Sequence, residues 1–449
     1  MMETPICDFV RRYAQSSALR LHMPGHKGVS LLGMEQMDIT EICGADSLYE
    51  ADGIIRQSEA NASAIFGAKT FYSTEGSSQC IRAMLCLAVR YAGRMGRKPL
   101  IAAGRNVHKT FLSAAALLDF EVTWLCSERQ ESYLACRLTA SELEAALNAA
   151  AEKPVAVYLT SPDYLGNAVD LRAIAQVCHR HGALLLVDGA HGAYLKFLPE
   201  SGHAIDLGAD LCCTSAHKTL PVLTGGAYLH ISNQAPPMLS DWAKDALALF
   251  GSTSPSYLIL QSLDAANRYL LEGYCERLAG FVARVQEYRA EWAKRGYVMC
   301  GDEPLKVTLS VKPYGYRGGS FAQALREQGI ECEFADPDFV VMMLTPETGE
   351  AGLRRLHEAM CAIRRRPAIG ERPPEFRLPE KVLSIREAML SPSERIPSSR
   401  SEGRVLASAS VGCPPAVPIV ICGERIDEAA VRGFDYYGIQ TCAAVAERR

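Results

Sequence analysis

The stretch from Ala183 to Ile231 constrains the fold of this chain more than any other. It contains three short apolar runs, Ala183–Val187, Asp210–Thr214 and Ala227–Ile231. The first run is too short for a helix core and is bounded by Gly182 and Asp188, which is typical of a strand buried on both faces of a parallel sheet. The other two runs are also expected to be strands. Asp188 follows the first run, and Ser215-Ala-His-Lys218 follows the second. Ligands of open α/β sheets bind at the carboxyl ends of strands, so the stretch predicts a ligand site there.

The spacing of Asp188 and Lys218 resembles the active-site segment of fold-type-I enzymes that use pyridoxal 5′-phosphate. In those enzymes an aspartate at a strand end pairs with the pyridine nitrogen, and a later lysine forms a Schiff base with the cofactor. An anion beside the ring nitrogen holds the proton that makes the ring an electron sink. The lysine acts as a neutral amine, which desolvation or a neighbouring positive charge favours. The resemblance therefore implies pyridoxal phosphate as the cofactor; the alternative is that both residues are solvated surface charges.

A second segment predicts a phosphate site. A strand over Thr70–Ser73 leads through Thr74-Glu-Gly-Ser-Ser78 into an apolar helix expected from Cys80 to about Tyr91. Strand, Gly-Ser-Ser and helix together present backbone N–H groups and hydroxyls to a phosphate at a helix N-terminus. The alternative is that one of the serines is a simple N-cap. Beside the Lys218 segment, phosphate binding by Gly76, Ser77 and Ser78 is favoured.

Motifs along the whole chain resemble the Orn/Lys/Arg decarboxylase family. Leu21-His-Met-Pro-Gly-His-Lys-Gly28 is similar to the family's N-terminal HxPGHK signature, which lies near the active site, often across a dimer interface. Arg105-Asn-Val-His108-Lys is similar to a segment whose histidine stacks on the cofactor ring, although a surface histidine capping the next helix is the alternative. Thr160-Ser-Pro-Asp-Tyr164-Leu-Gly166 matches a family turn. Cys413–Glu424 resembles the C-terminal PPG-x-P and P-G-E signatures, with Ala416 for the usual Gly and Cys422 for the usual Pro.

The predicted fold class is α/β, with the fold-type-I transferase architecture. Alternating strands and helices from about residue 65 to 231 predict a mainly parallel sheet in a large cofactor-binding domain. A long helical region, roughly Tyr257 to Arg295, leaves that domain, and a helix is expected over Gly349–Arg366. We expect an N-terminal arm (1–30), the large domain (31–295), a small α/β domain (296–366) and, after a Pro-rich boundary, a C-terminal α+β domain (367–449).

The resemblance implies decarboxylation of arginine, lysine or ornithine to an amine of polyamine biosynthesis and CO₂. It assigns catalytic roles to Lys218, Asp188, His108 and His191, and cofactor contacts to Gly76, Ser77, Ser78, His108, Ser161, Asp188, His191, Ser215, His217 and Lys218, with no metal. The usual family sequence after the strand has an acid at position 189 and a histidine at position 194, where this chain has Gly189 and Tyr194. The alternatives are another reaction of the same cofactor, such as transamination or elimination, and a catalytically silent regulatory relative.

The composition of the chain bears on its compartment and partners. The 449 residues are enough for two or three domains, and a net charge of −4 gives no basic excess that would suggest a nucleic-acid partner. No run of eighteen apolar residues predicts a membrane span. Sixteen scattered cysteines are typical of free thiols in a reducing cytoplasm, so a cytoplasmic protein is predicted. A homodimer or higher homo-oligomer is expected from the resemblance. Glu41, Asp46, Glu50, Asp163 and Glu424 are candidates to bind the distal cation of a basic amino acid.

Overall fold

The computed structural model describes residues 2–127, 132–375, 377–409 and 416–447. Its α-helices are α1 Pro5–Ala14, α2 Ile54–Phe66, α3 Gly76–Arg94, α4 Lys109–Leu118, α5 Ala140–Ala149, α6 Leu171–Arg180, α7 Ala216–Thr219, α8 Pro237–Asp241, α9 Ala243–Ala248, α10 Tyr257–Leu271, α11 Tyr274–Lys294, α12 Gly318–Arg326, α13 Gly349–Ala362, α14 Ile385–Leu390 and α15 Glu428–Tyr436. Its strands are β1 Lys69–Ser73, β2 Leu100–Gly104, β3 Glu121–Leu125, β4 Ala156–Thr160, β5 Leu184–Asp188, β6 Leu211–Thr214, β7 Ala227–Ile231, β8 Val298–Cys300, β9 Lys306–Ser310, β10 Phe334–Ala335, β11 Phe339–Met343, β12 Ser393–Pro397 and β13 Thr441–Val445.

The chain forms two compact units, the first of Met1–Lys98 with Cys178–Leu278, and the second of Pro99–Val177 with Ala279–Arg449. In the first unit the strands follow the order β1-β7-β6-β5. β5 and β6 are parallel, whereas β7 is antiparallel to both β6 and β1. Every residue of β5 is buried, which confirms the prediction drawn from its apolar run. The other two runs are the strands β6 and β7, as expected, and both are also buried throughout.

The second unit contains three groups of strands. β4, β2 and β3 are parallel neighbours. β10, β11, β9 and β8 form an antiparallel sheet, and β12 pairs with β13. The predicted N-terminal arm contains α1, and the described parts of the other three predicted domains contain helices and strands. The predicted boundaries differ from those of the two compact units and stay a prediction. Among the described residues, no helix combines the length and apolarity that crossing a membrane requires.

Glycines mark several of the helix ends that the sequence predicted. α2 ends at Gly67, which has a φ of 70°, and Gly182 (φ 65°) follows α6. Left-handed backbone costs glycine little, so each residue stops its helix. The same rule divides the long helical region expected over Tyr257–Arg295, since Gly273 (φ 71°) separates α10 from α11.

The expected bounds of two helices were wrong. α3 begins at Gly76 rather than Cys80, so Gly76, Ser77 and Ser78 form its first turn. α13 ends at Ala362 rather than Arg366. The hydroxyl of Tyr314 donates to the carbonyl of Ile363 (3.2 Å), and that of Tyr316 donates to the carbonyl of Arg364 (2.8 Å). These tertiary hydrogen bonds satisfy carbonyls that water or a cap would otherwise satisfy, and the chain leaves the helix there.

Candidate active site

Three of the predicted catalytic residues lie together at the carboxyl end of β5 and β6. Asp188 is the last residue of β5 and is 2% exposed. His191 lies in the turn that follows and is buried, and Lys218 belongs to α7, directly after β6. Lys218 Nζ is 3.0 Å from His191 Nε2. The parallel pairing of β5 with β6 brings the acid and the lysine to one sheet edge, as predicted.

The carboxylate of Asp188 is held by neighbours of two kinds. Its Oδ1 accepts a hydrogen bond from the backbone N–H of Ala190 at 3.2 Å. Cys213 lies opposite Asp188 in the β5–β6 register, and its thiol donates to the same oxygen at 3.7 Å. Burial raises the pKa of Cys213 well above its ordinary value, and the charge of Asp188 raises it further. The thiol therefore stays protonated and acts as a weak donor.

The predicted phosphate site is the first turn of α3, whose N-cap is Glu75. Neither serine is the N-cap, so that alternative interpretation was wrong. Gly76 has a φ of 70°, and its N–H donates to the carbonyl of Gly225 at 2.7 Å. Because that N–H is already engaged, Gly76 does not offer it to an anion, and phosphate binding by Ser77 and Ser78 in this turn stays a prediction.

Ser215 and His217 border the same part of the first unit. A Cβ added to Gly76 would lie 3.9 Å from Cε1 of His217, so the imidazole approaches the start of α3. His217 donates from its backbone N–H to the carbonyl of Gly226, and its Nδ1 lies 3.0 Å from the same oxygen. Ser215 is fully buried, and its Oγ has no hydrogen-bond partner within the described ranges. A buried hydroxyl without a partner is costly, which is consistent with an oxygen ligand.

His108 and Ser161, which the resemblance assigned to the cofactor, belong to the second unit. His108 is the N-cap of α4, where its Nδ1 accepts from the backbone N–H of Thr110 at 3.2 Å. It therefore performs the capping role that was considered as the alternative, and stacking on a cofactor stays a prediction. Ser161 is buried, and its Oγ accepts from the N–H of Val169 at 3.4 Å.

The HxPGHK segment folds into a local turn that is held by hydrogen bonds of its side chains, both within the segment and to Tyr13 and Asp38. His22 Nε2 lies 2.6 Å from the hydroxyl of Tyr13, and Lys27 Nζ donates to the carbonyl of His22 at 2.5 Å. His26 pairs with Asp38 at 3.2 Å. Several apolar side chains on and around this turn are 64–82% exposed: Leu19, Leu21, Met23, Val29, Leu31 and Leu32.

Three of the five candidate substrate-binding acids have structural roles. Asp46 accepts backbone N–H groups before and within the first turn of α2, which holds the pKa of its carboxyl below the ordinary value against desolvation. Asp163 accepts the N–H groups of Leu165 and Asn167, and burial raises its pKa to about 6. Glu424 is buried against Arg105, with 2.7 Å between the charged atoms. Glu41 and Glu50 are exposed, and binding of the substrate's distal cation by either of them stays a prediction.

The two departures from the usual family sequence lie in the connection from β5 to β6. Gly189 donates its N–H to the carbonyl of Cys213 at 3.0 Å, and its own carbonyl accepts from Gly192 at 2.7 Å. Tyr194 is 1% exposed within a 3-10 helix over Ala193–Phe197. In this chain position 194 is therefore filled by a core aromatic residue.

Sequence reasoning missed the residues that support the predicted site. Cys213 contacts Asp188, Gly225 accepts from Gly76, and Gly226 accepts from His217. Alternation along β6 could have placed Cys213 beside the acid. The Gly225-Gly226 pair was visible as a break before β7, but no sequence pattern names the partners of its carbonyls.

The chain is similar to known proteins in both sequence and fold. The family described as Orn/Lys/Arg decarboxylase, major domain, matches residues 4–300. The chain is 30% identical over 464 aligned residues to an arginine decarboxylase of Bacillus subtilis, covering 95% of this chain and 92% of that protein. The fold is similar to lysine decarboxylase A of Pseudomonas aeruginosa (TM-score 0.80, 18% identity, 98% of this chain and 80% of that one) and to a lysine decarboxylase of Francisella novicida (TM-score 0.79, 17% identity, 98% and 79%). These likenesses confirm the predicted α/β, fold-type-I architecture.

Proposed function

Because the chain belongs to the Orn/Lys/Arg decarboxylase family, we propose that this pyridoxal-phosphate-dependent decarboxylase removes the α-carboxylate of a basic amino acid, with arginine as its preferred substrate. The observation that carries the proposal is the contact of Lys218 Nζ with His191 Nε2 at 3.0 Å, beside the buried Asp188. A lysine, a histidine and an acid at one strand edge meet the chemical needs of this cofactor.

The residues of the first unit fit pyridoxal phosphate. Asp188 supplies the buried anion for a pyridine nitrogen, and Lys218 supplies the amine. The first turn of α3, at Ser77 and Ser78, offers an anion site, and the unpartnered Oγ of Ser215 offers a further donor. When bound, the cofactor supplies an aldehyde for amine attachment and a protonated ring that accepts the electron pair left by departing CO₂.

The chain's own residues have separable roles in this chemistry. Asp188, held by Ala190 and Cys213, would stabilise a proton on the ring nitrogen of the bound cofactor. Lys218 Nζ and His191 Nε2 are within hydrogen-bonding distance at 3.0 Å, so His191 would be able to take a proton from the lysine and leave it as a neutral amine. Returned to Lys218, that proton is available for delivery to the substrate α-carbon after decarboxylation.

Arginine is proposed because the match to an arginine decarboxylase extends over 95% of this chain. The test is a panel of arginine, lysine and ornithine, with CO₂ and the amine product measured for each. CO₂ release with arginine at a several-fold higher kcat/KM than with lysine or ornithine is expected. A keto acid in place of an amine would mean that the enzyme catalyses a different reaction of the same cofactor.

Replacement of the lysine tests the site assignment. Lys218→Ala should abolish CO₂ release. It should also remove the absorbance band of the covalently attached cofactor, because Lys218 is the residue proposed to attach it. Lys69→Ala, at an exposed position that opens β1, is the matched control and should retain both properties. Normal CO₂ release by the Lys218→Ala protein would show that the assignment is wrong.

We also propose that the protein is at least a homodimer. A cluster of leucines and a methionine more than two-thirds exposed, all within residues 19–32, is unusual on a monomer surface and fits a second copy of the chain. Sedimentation of the wild-type protein should give twice the 48.9 kDa chain mass or more. Mixing Lys218→Ala chains with His26→Ala chains should restore some activity if this segment completes the partner's site. A fully active monomer would refute the proposal.

A further inference from the structure

The hydrogen bond of His217 determines which of its ring nitrogens carries a proton. Nδ1 lies 3.0 Å from the carbonyl oxygen of Gly226. A carbonyl oxygen only accepts hydrogen bonds, so Nδ1 must carry the hydrogen. This leaves Nε2 as the ring atom for a ligand. In a neutral imidazole with Nδ1 protonated, Nε2 is an acceptor, and it becomes a donor only in the imidazolium form.

A phosphate dianion also only accepts hydrogen bonds. If the His217 ring contacts the cofactor phosphate, a neutral ring and a dianion would present two acceptors to each other. One proton has to lie between them, either on Nε2 or on the phosphate. A phosphate monoester loses its second proton with a pKa of about 6, and an ordinary imidazole loses its proton at about 6.5. Above neutral pH, neither free partner carries that proton.

We propose that binding of the cofactor phosphate takes up one proton from solvent above neutral pH and holds it between His217 Nε2 and a phosphate oxygen. The inference rests on the proposed function, because it requires the phosphate to bind beside α3 and α7. It assigns to His217 a role that a permanent donor, such as a serine hydroxyl, cannot have.

The surroundings of the ring favour its neutral form before the phosphate arrives. Burial lowers the pKa of His217, the hydrogen bond to Gly226 opposes that effect, and the charge of Lys218 lowers the pKa again. The elements packed against α7 are β7 and the 3-10 helix, and α3 begins nearby. The titratable residues of β7 are Tyr228 and His230 (bonded to Thr70 and Thr214), and those of the 3-10 helix are Tyr194 and Lys196 (paired with Asp206). At the start of α3, the N-cap Glu75 accepts from Ser252. The incoming dianion is therefore what stabilises the extra proton.

The experiment measures protons directly rather than activity. Full-length protein freed of cofactor is titrated with 4′-deoxypyridoxine 5′-phosphate, which carries the phosphate but has no aldehyde to react with Lys218. Calorimetry at pH 8 in two buffers of different ionisation enthalpy gives the number of protons taken up. His217→Gln is the key variant, since its amide donates a hydrogen bond without titrating. His179→Gln is the matched control, because His179 is also a histidine with a hydrogen-bonding partner, Asp210, but is not proposed to contact the phosphate.

We expect wild-type and His179→Gln proteins to take up about one proton more than His217→Gln at pH 8. The difference should approach zero near pH 5.5, where the free phosphate already holds its proton. The wild-type dissociation constant should rise relative to that of His217→Gln by up to about tenfold per pH unit above neutrality, as expected for one linked proton. If His217→Gln does not fold, His217→Asn replaces it.

Two results would overturn different statements. Equal proton uptake by wild-type and His217→Gln, with the analogue bound to both, would refute the shared proton and leave the cofactor site intact. Failure of the analogue to bind wild-type protein at any pH would refute the proposed phosphate site, and with it the proposed function.

Discussion

The ion pair between Arg105 and Glu424 allows a quantitative prediction about stability. The charged atoms are 2.7 Å apart, and the two side chains are 1% and 5% exposed. Burial lowers the pKa of the arginine and raises that of the glutamate, while each charge opposes the effect on the other. Glu424 Oε2 also accepts the N–H of Ile421 at 2.7 Å. Both residues therefore depend on their partner to remain charged while buried.

Glu424→Gln leaves the arginine charge buried without its anion. Breaking a buried pair in this way costs about 3–5 kcal/mol. At roughly 2.1 cal/mol/K of unfolding entropy per residue, a 449-residue chain that melts in one transition loses about 1 °C per kcal/mol. The melting temperature should fall by roughly 3–5 °C. Replacing both residues, as Arg105→Met with Glu424→Leu, should recover most of that loss, because no charge remains buried.

Thermal unfolding followed by circular dichroism, on Arg105→Met, Glu424→Leu and the variant that combines them, gives the coupling energy of the pair. Glu200→Gln is the control, since this exposed acid should change stability by less than about 0.5 kcal/mol. The same proteins and Glu424→Gln are assayed for KM. If Glu424→Gln left the melting temperature unchanged and raised KM strongly, Glu424 would bind the substrate cation and the structural reasoning would be wrong.

Three further predictions concern single residues. Asp188→Asn should lower kcat by several orders of magnitude while cofactor stays bound, and a loss under tenfold, about 1.4 kcal/mol of barrier, would mean that another group pairs with the ring. Gly225→Ala should weaken cofactor binding at least tenfold in a fluorescence titration, because its Cβ would lie 2.7 Å from the carbonyl oxygen of Thr74. Gly96→Ala is the control, since a Cβ there meets no described atom within 4 Å. Equal effects of the two substitutions on cofactor binding would refute the steric argument. Ala416→Gly should raise stability by up to about 1 kcal/mol in thermal unfolding, since Ala416 has a φ of 61° and left-handed backbone costs a non-glycine residue roughly 1–2 kcal/mol; a lower melting temperature would contradict it.

Local chemistry explains which features the sequence could predict. β5 and β7 could be predicted as strands because a short, unbroken apolar run between turn residues rarely forms another structure in a globular fold. The helix ends at Gly67 and Gly182 were predictable because the left-handed backbone that ends a helix depends on a single glycine. The adjacency of Asp188 and Lys218 followed from parallel strands sharing an edge, so the centre of the candidate site was predictable.

Features that depend on distant partners could not be predicted from sequence. The early end of α13 depends on hydroxyls of Tyr314 and Tyr316, about fifty residues earlier in the chain. Glu424 seemed available to a substrate until its partner, 319 residues away, was known. The capture of the Gly76 amide by Gly225 is likewise invisible in the Gly-Ser-Ser pattern. Residues Cys413–Pro415, which begin the predicted C-terminal family signature, lie outside the described residues. Ala416, which follows them, has the left-handed backbone that glycine prefers.

The pairing of β5 with β6 has a consequence for how such an enzyme can diverge. Asp188 and Cys213 are opposite each other in the register, and Lys218 follows a few residues later. Backbone hydrogen bonds of two buried strands thus bring the acid and the segment that carries the lysine to the same sheet edge. Gly189 and Tyr194, where this chain departs from its family, both lie in the connection from β5 to β6. Gly189 and Tyr194 can therefore differ from the usual family residues without changing the strand pairing that holds the acid and the lysine. His191, in the same connection, contacts Lys218 and belongs to the chemical centre.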